Sequence, residues 1–261
     1  MSVYGAQVAM PQPFTVDSPT VAMQFGADTL EEHKEWNGHH EITAIVGTIN
    51  TEIGTLLAAM RRNVRWGGRF VSGENQLEDP LVYSLKDLRK KLLNLEDQWL
   101  NVSPVTYLQP FLDVIQSDQT SAIITGVALS SVYKILTLDA FDLDTENIAD
   151  TMHMIVDTVT SCRFEVTDPV SEEQVLMKIL QVLLACMKSK ASVVLSNRHI
   201  CLIVSSCFRV VRRAGTKREL LRRIARDTMH ELVKCIFARL PEIDSVNLEP
   251  TDENGLIQPE M

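Results

Sequence analysis

The chain has 261 residues, of which 45% are hydrophobic and 23% are charged, so it can bury a full core without metal ions or disulfides. Its formal net charge is −9, and the acidic excess is concentrated at the two ends. Residues 1–40 contain five acidic residues and one basic residue, and residues 241–261 contain six acidic residues and no basic one. The stretch between them holds 23 acidic and 24 basic residues, which argues against a protein that coats nucleic acid.

Targeting signals, membrane spans and disulfides are not predicted for this sequence. No basic stretch followed by an apolar one opens the chain, so we expect no secretory signal. The most apolar run, Val175–Met187, has 13 residues, fewer than the ~20 that cross a bilayer, and is predicted to be a buried helix. Five cysteines without CxxC spacing are typical of reduced thiols in a cytosolic protein.

The residues between the acidic ends show helical periodicity throughout. Apolar residues recur every three or four positions in eight segments, around Ile42–Met60, Leu81–Leu92, Leu108–Ile115, Ile123–Leu138, Ile148–Val159, Val175–Met187, Ile200–Val211 and Thr216–Leu240. No segment alternates as a strand would. We therefore predict an all-α fold, an armadillo- or HEAT-like stack of about eight helices, with a helical bundle as the alternative.

Three parts are expected along the chain: a mobile leader over residues 1–40, a helical domain over 41–241 and a disordered acidic tail over 242–261. Prolines and caps mark several helix starts in the middle part. Ser103 before Pro104 predicts the start of a helix, and Pro110 is expected to kink or restart that helix. Ser171 with Gln174 predicts a capping box at the start of the helix that contains Val175–Met187.

No residue set predicts catalysis, a cofactor or a metal site. The Gly67-Gly68 pair lacks the ending of a phosphate-binding loop. His199, Cys201 and Cys207 share one predicted helix, with His199 and Cys207 near one face, but zinc needs about four converging ligands. We interpret the two cysteines as small apolar residues of a core helix.

Two groups of arginines remain to be explained. Arg61, Arg65 and Arg69 follow at four-residue spacing at the end of the first predicted helix. A second group lies within residues 209–226 and includes Arg212, Arg213, Arg218, Arg222, Arg223 and Arg226. Each group is either a solvated face, favourable near a helix C-terminus, or a docking surface for an anionic membrane or an acidic partner.

Six segments of the sequence carry a family resemblance. They are RRNVRWGGR (61–69), YLQPFLDVIQSD (107–118), ALSSVYKILTL (128–138), SCRFEVTDP (161–169), SEEQVLMKILQVLLACM (171–187) and TMHELVKCIFARLP (228–241). In this order they resemble the N-terminal dimerisation and cyclophilin-binding (DCB) module of GNOM-type large ARF guanine-nucleotide exchange factors. The resemblance runs from about Ile42 to Pro241 and leaves out both acidic ends.

The resemblance implies an armadillo-like module that interacts rather than catalyses. It implies pairing with a second copy, contact with the rest of the parent exchange factor, cyclophilin binding, and a cytosolic location peripheral to Golgi or endosomal membranes. Lys134 and Glu173 match positions that the family uses for pairing, although without the resemblance they would be an ordinary exposed lysine and a helix-start glutamate.

Exchange activity in the family belongs to a separate domain that is not expected in these residues. The segment FARLPE (237–242) echoes the loop that carries the catalytic glutamate there, but we interpret Glu242 as an ordinary tail residue. The alternative function is a stand-alone helical adaptor that binds anionic membrane or acidic peptides through the 209–226 arginines.

Overall fold

The computed structural model describes residues 43–63, 79–94, 102–138, 141, 143, 145–165, 168–214 and 218–239. The chain divides into two units, Met1–Thr43 and Ala44–Met261, and every described residue after Thr43 belongs to the second. The predicted leader and acidic tail lie outside the described residues, so both remain predictions.

The described residues form eight α-helices and one short 3₁₀ helix, Lys190–Val194. The α-helices are α1 (Thr43–Arg62), α2 (Pro80–Asn94), α3 (Pro104–Gln116), α4 (Ala122–Thr137), α5 (Ile148–Ser161), α6 (Pro169–Lys188), α7 (Asn197–Ala214) and α8 (Glu219–Ala238). Extended pairing in this part of the chain is limited to one isolated bridge between Ser121 and Glu165. The predicted all-α fold of about eight helices is confirmed.

The helices pack in two layers. Helices α3, α5 and α7 contact one another in succession, and so do α4, α6 and α8, while α2 packs on α3. Because neighbours within a layer are two helices apart in the chain, successive helix pairs stack side by side. This is the packing expected of an armadillo- or HEAT-like stack.

Helix starts follow local chemistry that was only partly predicted. Ser103 precedes Pro104 at the start of α3, as expected, but α3 continues through Pro110 without restarting. The predicted capping box at Ser171 is wrong, because α6 begins earlier, at Pro169. Its N-cap is Asp168, which accepts hydrogen bonds from the Ser171 backbone N–H at 2.8 Å and from the Ser171 hydroxyl at 2.6 Å.

Helix α4 lies at the centre of the packing, with ten of its 16 residues buried. Gly126 allows its close approach to α6, since a Cβ built on this glycine would lie 3.6 Å from Val175 Cγ2 and 3.7 Å from Lys178 Cδ. These are ordinary van der Waals distances, so there is room for a methyl group but for little more. The close contact at Gly126 therefore sets the spacing between α4 and α6, and with it the distance between their outer faces.

Helix α1 has a length and composition that would suit a membrane span. In the structure, however, its apolar stripe faces protein, and Ile49, Ile53 and Leu56 are completely buried. The same face carries Glu52, a buried acid paired with a lysine of α4. A buried apolar stripe and a buried acid with a partner on another helix are features of a helix packed on protein, so α1 packs as part of the helical stack.

Candidate interaction surface

The outer face of α4 is the first part of the surface indicated by the sequence. Ile123, Val127, Ser130, Lys134 and Thr137 follow one another at three- or four-residue spacing, and all are exposed or half-buried. This spacing keeps them on one side of the helix, opposite the buried face. The stripe is apolar near the start of α4 and carries its charge, Lys134, near the end.

Lys134 is held by an acid that the sequence analysis did not single out. Its ammonium donates to Glu52 Oε1 of α1 at 2.6 Å, and the Ser131 hydroxyl donates to the other oxygen of the same carboxylate at 2.8 Å. Glu52 is only 4% exposed, whereas Lys134 is 54% exposed. Lys134 therefore anchors α1 on α4 and still presents part of its side chain to solvent.

The position of Glu52 in the sequence could have revealed this ion pair. Glu52 lies in register with Ile45, Ile49 and Leu56, at the three- and four-residue spacing of the buried stripe. An acid on an apolar face must find a cationic or hydrogen-bonding partner, because an isolated buried charge is very unfavourable. The pattern thus indicates a paired charge, although it does not say with which residue.

The outer face of α6 lies beside that of α4. Lys178 of α6 donates to the Ser130 hydroxyl of α4. Burial lowers the pKa of Lys178, and the nearby positive charge of Lys134 lowers it further. Gly126 faces Val175, and about one turn later on both helices Ser130 meets Lys178, so the two helices run in the same direction.

Glu173 lies near the start of α6 and is half-buried. With α4 and α6 parallel and Gly126 opposite Val175, about ten residues of helical rise, or about 15 Å, separate Glu173 from the level of Lys134. The two predicted pairing residues therefore lie on adjacent helices but do not contact each other within one chain. Nearby side chains are apolar: Ile123 is 59% exposed and Val170 is 66% exposed.

Glu172, next to Glu173, has an entirely different environment. It is buried at the junction of α6, α7 and α8, where Arg213 Nε lies 2.9 Å from Oε1 and Arg218 Nη2 lies 2.5 Å from Oε2. An acid in the first turn of a helix is already favourable through the helix dipole. The main role of Glu172 in the structure is to bring two arginines of the predicted docking surface together.

Pairing within the chain reduces the free charge of the 209–226 arginines. Arg222 forms an ion pair with Glu219, one turn earlier on α8. Arg212, Arg223 and Arg226 are exposed, and within the described ranges they have no ion-pair partner. Arg209 has only uncharged hydrogen-bond partners, so four described arginines of this group are without an ion pair, and the role of the group in docking remains a prediction.

The first arginine group is only partly described. Arg61 is exposed in the last turn of α1. Arg65 and Arg69 lie outside the described residues, as does Glu242. The predicted docking role of these arginines is therefore not tested.

The predicted core position is confirmed for Cys207 and is wrong for Cys201. His199 and Cys207 are buried on one face of α7, whereas Cys201 is exposed. His199 stacks on His153 of α5 with ring centroids 4.0 Å apart, and its pKa is lowered first by burial and then by His153. Burial also raises the pKa of the Cys207 thiol to about 12, so this thiol is unreactive at neutral pH.

Metal binding finds no support in the part of the chain that the structure describes. No group of three or more His, Cys, Asp or Glu side chains there could hold a metal ion. Both histidine rings instead make hydrogen bonds, His153 to the 3₁₀ helix Lys190–Val194 and His199 within the start of its own helix. His153 Nε2 lies 3.0 Å from the Val194 carbonyl oxygen, and His199 Nδ1 lies 2.7 Å from the Ser196 hydroxyl.

Comparison with known families identifies the chain. The sequence profile of the Mon2/Sec7/BIG1-like dimerisation and cyclophilin-binding domain, DCB, matches residues 78–244, which is more than half of the chain. The chain belongs to the DCB domain family. The matched residues include helices α2 to α8, and therefore Lys134, Glu173 and the Glu172 cluster.

Curated relatives extend the similarity. The chain is 61% identical over 238 residues to the ARF guanine-nucleotide exchange factor GNOM of Arabidopsis thaliana, and 63% identical over 200 residues to GNL1 of the same plant. These alignments cover 90% and 77% of the chain. ARF guanine-nucleotide exchange factor 2 of Saccharomyces cerevisiae is 30% identical over 177 residues, or 67% of the chain. The chain spans 16%, 14% and 12% of these three proteins.

Helix α1 precedes the residues matched by the DCB profile, yet it is not separate from the DCB helices. The Glu52 carboxylate joins it to α4 through Lys134 and Ser131. Asn63, just after α1, adds a hydrogen bond from its side-chain amide to the Ser121 hydroxyl at 3.2 Å. Helix α1 therefore packs on the helices that the DCB profile matches.

Proposed function

We propose that this chain is the non-catalytic dimerisation and regulatory module of an ARF guanine-nucleotide exchange factor that acts in vesicle trafficking. The observation that carries the proposal is membership of the DCB family, whose description names dimerisation and cyclophilin binding. Relatives of high identity are ARF exchange factors in which a segment of this length is a small fraction of the protein. The exchange reaction itself is assigned to other parts of such proteins.

Pairing is proposed to use the joint outer surface of α4 and α6. Lys134 and Glu173 carry opposite charges at different levels of this surface, separated by about 15 Å along the helices. In an antiparallel two-fold arrangement, Lys134 of each copy faces Glu173 of the other, and both contacts form at once. The exposed apolar side chains Ile123 and Val170 lie at the Glu173 end and supply apolar area to the same interface.

Sedimentation of the purified chain over a concentration series tests this pairing. Glu173→Lys is expected to weaken the dimer about tenfold or more, because each lysine then faces Lys134 of the other copy. Glu146→Lys makes the same charge change at an exposed position outside α4 and α6, and it should leave the dimer intact. A wild-type chain that stays monomeric at tens of micromolar would contradict the proposal.

Two further variants separate the contribution of Lys134 to the dimer from its ion pair with Glu52 within the chain. Glu52→Gln removes the buried charge while keeping a hydrogen-bonding group for Ser131, and the dimer should persist. Lys134→Gln in the Glu52→Gln background removes the ammonium without leaving a buried carboxylate unpaired. Loss of the dimer only in the second variant supports an intermolecular role for Lys134, and equal dimerisation of both variants contradicts it.

The remaining partners follow from family membership. A DCB domain of this kind is proposed to contact the rest of its parent exchange factor and a cyclophilin, and to act in the cytosol at the periphery of Golgi or endosomal membranes. Its support is the family description and the ARF exchange factors among its relatives.

A second candidate function rests on three of the unpaired arginines, Arg212, Arg223 and Arg226. Exposed cations near an anionic bilayer contribute about 1 kcal/mol each, enough for a secondary membrane contact. The wild-type chain should float with anionic liposomes, and the double variant Arg223→Glu, Arg226→Glu should not. Arg89→Glu with Lys90→Glu makes the same charge change on exposed positions of α2 and should still float. Equal flotation of the two double variants would exclude a specific role of this surface.

A further inference from the structure

A groove of about 780 Å³ lies between the end of α5 and the part of α7 from Arg198 to Arg209, away from the α4–α6 surface. Three arginines line it, Arg163, Arg198 and Arg209, against one acid, Asp157. Arg163 is exposed, and the Arg198 side chain is 71% exposed at 3.8 Å from Asp157. The groove is therefore a concentration of positive charge on a chain whose net charge is −9.

Arg209 is held in place inside this groove. Its Nη2 donates to the Thr160 carbonyl oxygen and to the Ser206 hydroxyl, both at 2.8 Å. Neither acceptor is a charged group, so the guanidinium is positioned without being neutralised. A fixed cation loses less conformational entropy on binding an anion than a mobile one does.

The groove continues into a smaller cavity of about 110 Å³ with a mixed lining, apolar on one part of its wall and polar, including Arg213, on the rest. The two share Thr160, Cys162, Ser206 and Arg209, and the smaller cavity is walled by Val159, Phe164, Leu176, Ile179 and Val210. Cavities of about 150 Å³ accept a molecule the size of benzene, so this one suits a single aliphatic side chain. Together they fit a peptide that carries several carboxylates and an aliphatic anchor.

Residues 242–261 have this chemistry. They contain six acids and no base, namely Glu242, Asp244, Glu249, Asp252, Glu253 and Glu260, with aliphatic residues such as Leu248 and Leu256 among them. Twenty residues of extended chain reach about 65 Å, so length does not restrict where they bind.

The topology also directs this segment toward the groove. Helices α7 and α8 pack together and are joined by only residues 215–218, and a connection this short makes them antiparallel neighbours. The end of α8 at Ala238 therefore lies at the end of the stack where α7 begins and where Arg198 lines the groove. The chain therefore leaves its last helix at the same end of the stack as Arg198.

We propose that the acidic segment 242–261 binds back to the arginine groove between α5 and α7. Carboxylates pair with Arg163, Arg198 and Arg209, and one aliphatic side chain enters the adjoining cavity. The binding is intramolecular, so it competes with any external acidic peptide at the same groove. This inference does not depend on the proposed pairing, because Lys134 and Glu173 line neither the groove nor the adjoining cavity.

A labelled synthetic peptide of residues 242–261, added to the full chain, tests the proposal by fluorescence anisotropy. In the wild-type chain the tethered segment competes, so the peptide should bind weakly. Neutralising the segment with Glu249→Gln, Asp252→Asn and Glu253→Gln should increase affinity for the peptide about tenfold or more. Adding Arg163→Glu and Arg198→Glu to the neutralised chain should abolish binding, and both arginines are exposed, so the fold should persist.

The matched control adds Arg212→Glu and Arg223→Glu to the neutralised chain, with the same change in charge at exposed positions outside the groove. Binding to this control should equal binding to the neutralised chain. The proposal is overturned by equal peptide affinity of the wild-type and neutralised chains, by no binding to either, or by loss of binding in the control. None of these outcomes bears on sedimentation of the dimer.

Discussion

Replacing Glu172 with alanine is expected to lower the free energy of unfolding by about 2 to 3 kcal/mol. The carboxylate is buried and forms ion pairs with Arg213 of α7 and with Arg218 just before α8. Without it, two guanidinium groups face each other across an apolar junction, and Arg218, only 22% exposed, has little access to water. Arg213 is 58% exposed and can turn toward solvent, which keeps the loss below that of a fully buried pair.

Urea denaturation followed by circular dichroism measures this change. Glu219→Ala is the matched control, because it removes an exposed glutamate that also pairs with an arginine, Arg222, and its effect should stay within about 0.5 kcal/mol. If the two variants are destabilised equally, the Glu172 cluster does not hold the α6, α7 and α8 junction together.

Lys134→Glu is expected to destabilise the fold by about 2 to 3 kcal/mol. The substitution removes the ammonium that lies 2.6 Å from Glu52 and places a second carboxylate near an acid that is 4% exposed. Because position 134 is half-exposed, the new carboxylate can turn outward, and this limits the repulsion. A reduced dimer population in this variant would therefore report partly on folding.

Thermal unfolding of three variants checks the explanation. Lys134→Glu should unfold at a lower temperature than wild type, and adding Glu52→Gln should restore most of the loss because the repulsion between carboxylates disappears. Glu52→Gln alone should be mildly destabilised, since it keeps its hydrogen bond to Ser131 but loses the charge. Absence of rescue in the double variant would show that Glu52 is not the source of the effect.

Local features of the sequence predicted much of the helical stack. The apolar spacing of Ile49, Ile53 and Leu56 predicts the buried face of α1, and Ser103 with Pro104 marks the start of α3. Both depend only on neighbouring residues, since helical periodicity and capping act within one or two turns. The capping box at Ser171 failed because Asp168, three residues earlier, offered a stronger acceptor beside Pro169.

The interaction surfaces were predicted less completely. The sequence identified Lys134 and the 209–226 arginines as charged groups, but not which of them are already paired within the chain. Glu52 and Lys134 are 82 residues apart, and Glu172 and Arg218 are 46 residues apart. No local pattern connects such positions, so the free charge of a surface could not be counted from composition.

The amino-acid sequence by itself determined which segments are helical, which face of each helix is buried, and the family to which the chain belongs. The tertiary structure alone decided that Glu52 holds Lys134, that Glu172 holds Arg213 and Arg218, and that Arg163, Arg198 and Arg209 meet in one groove. The reason is physical: periodicity is set by hydrogen bonds within each helix, whereas charge pairing depends on how helices distant in the chain pack against each other.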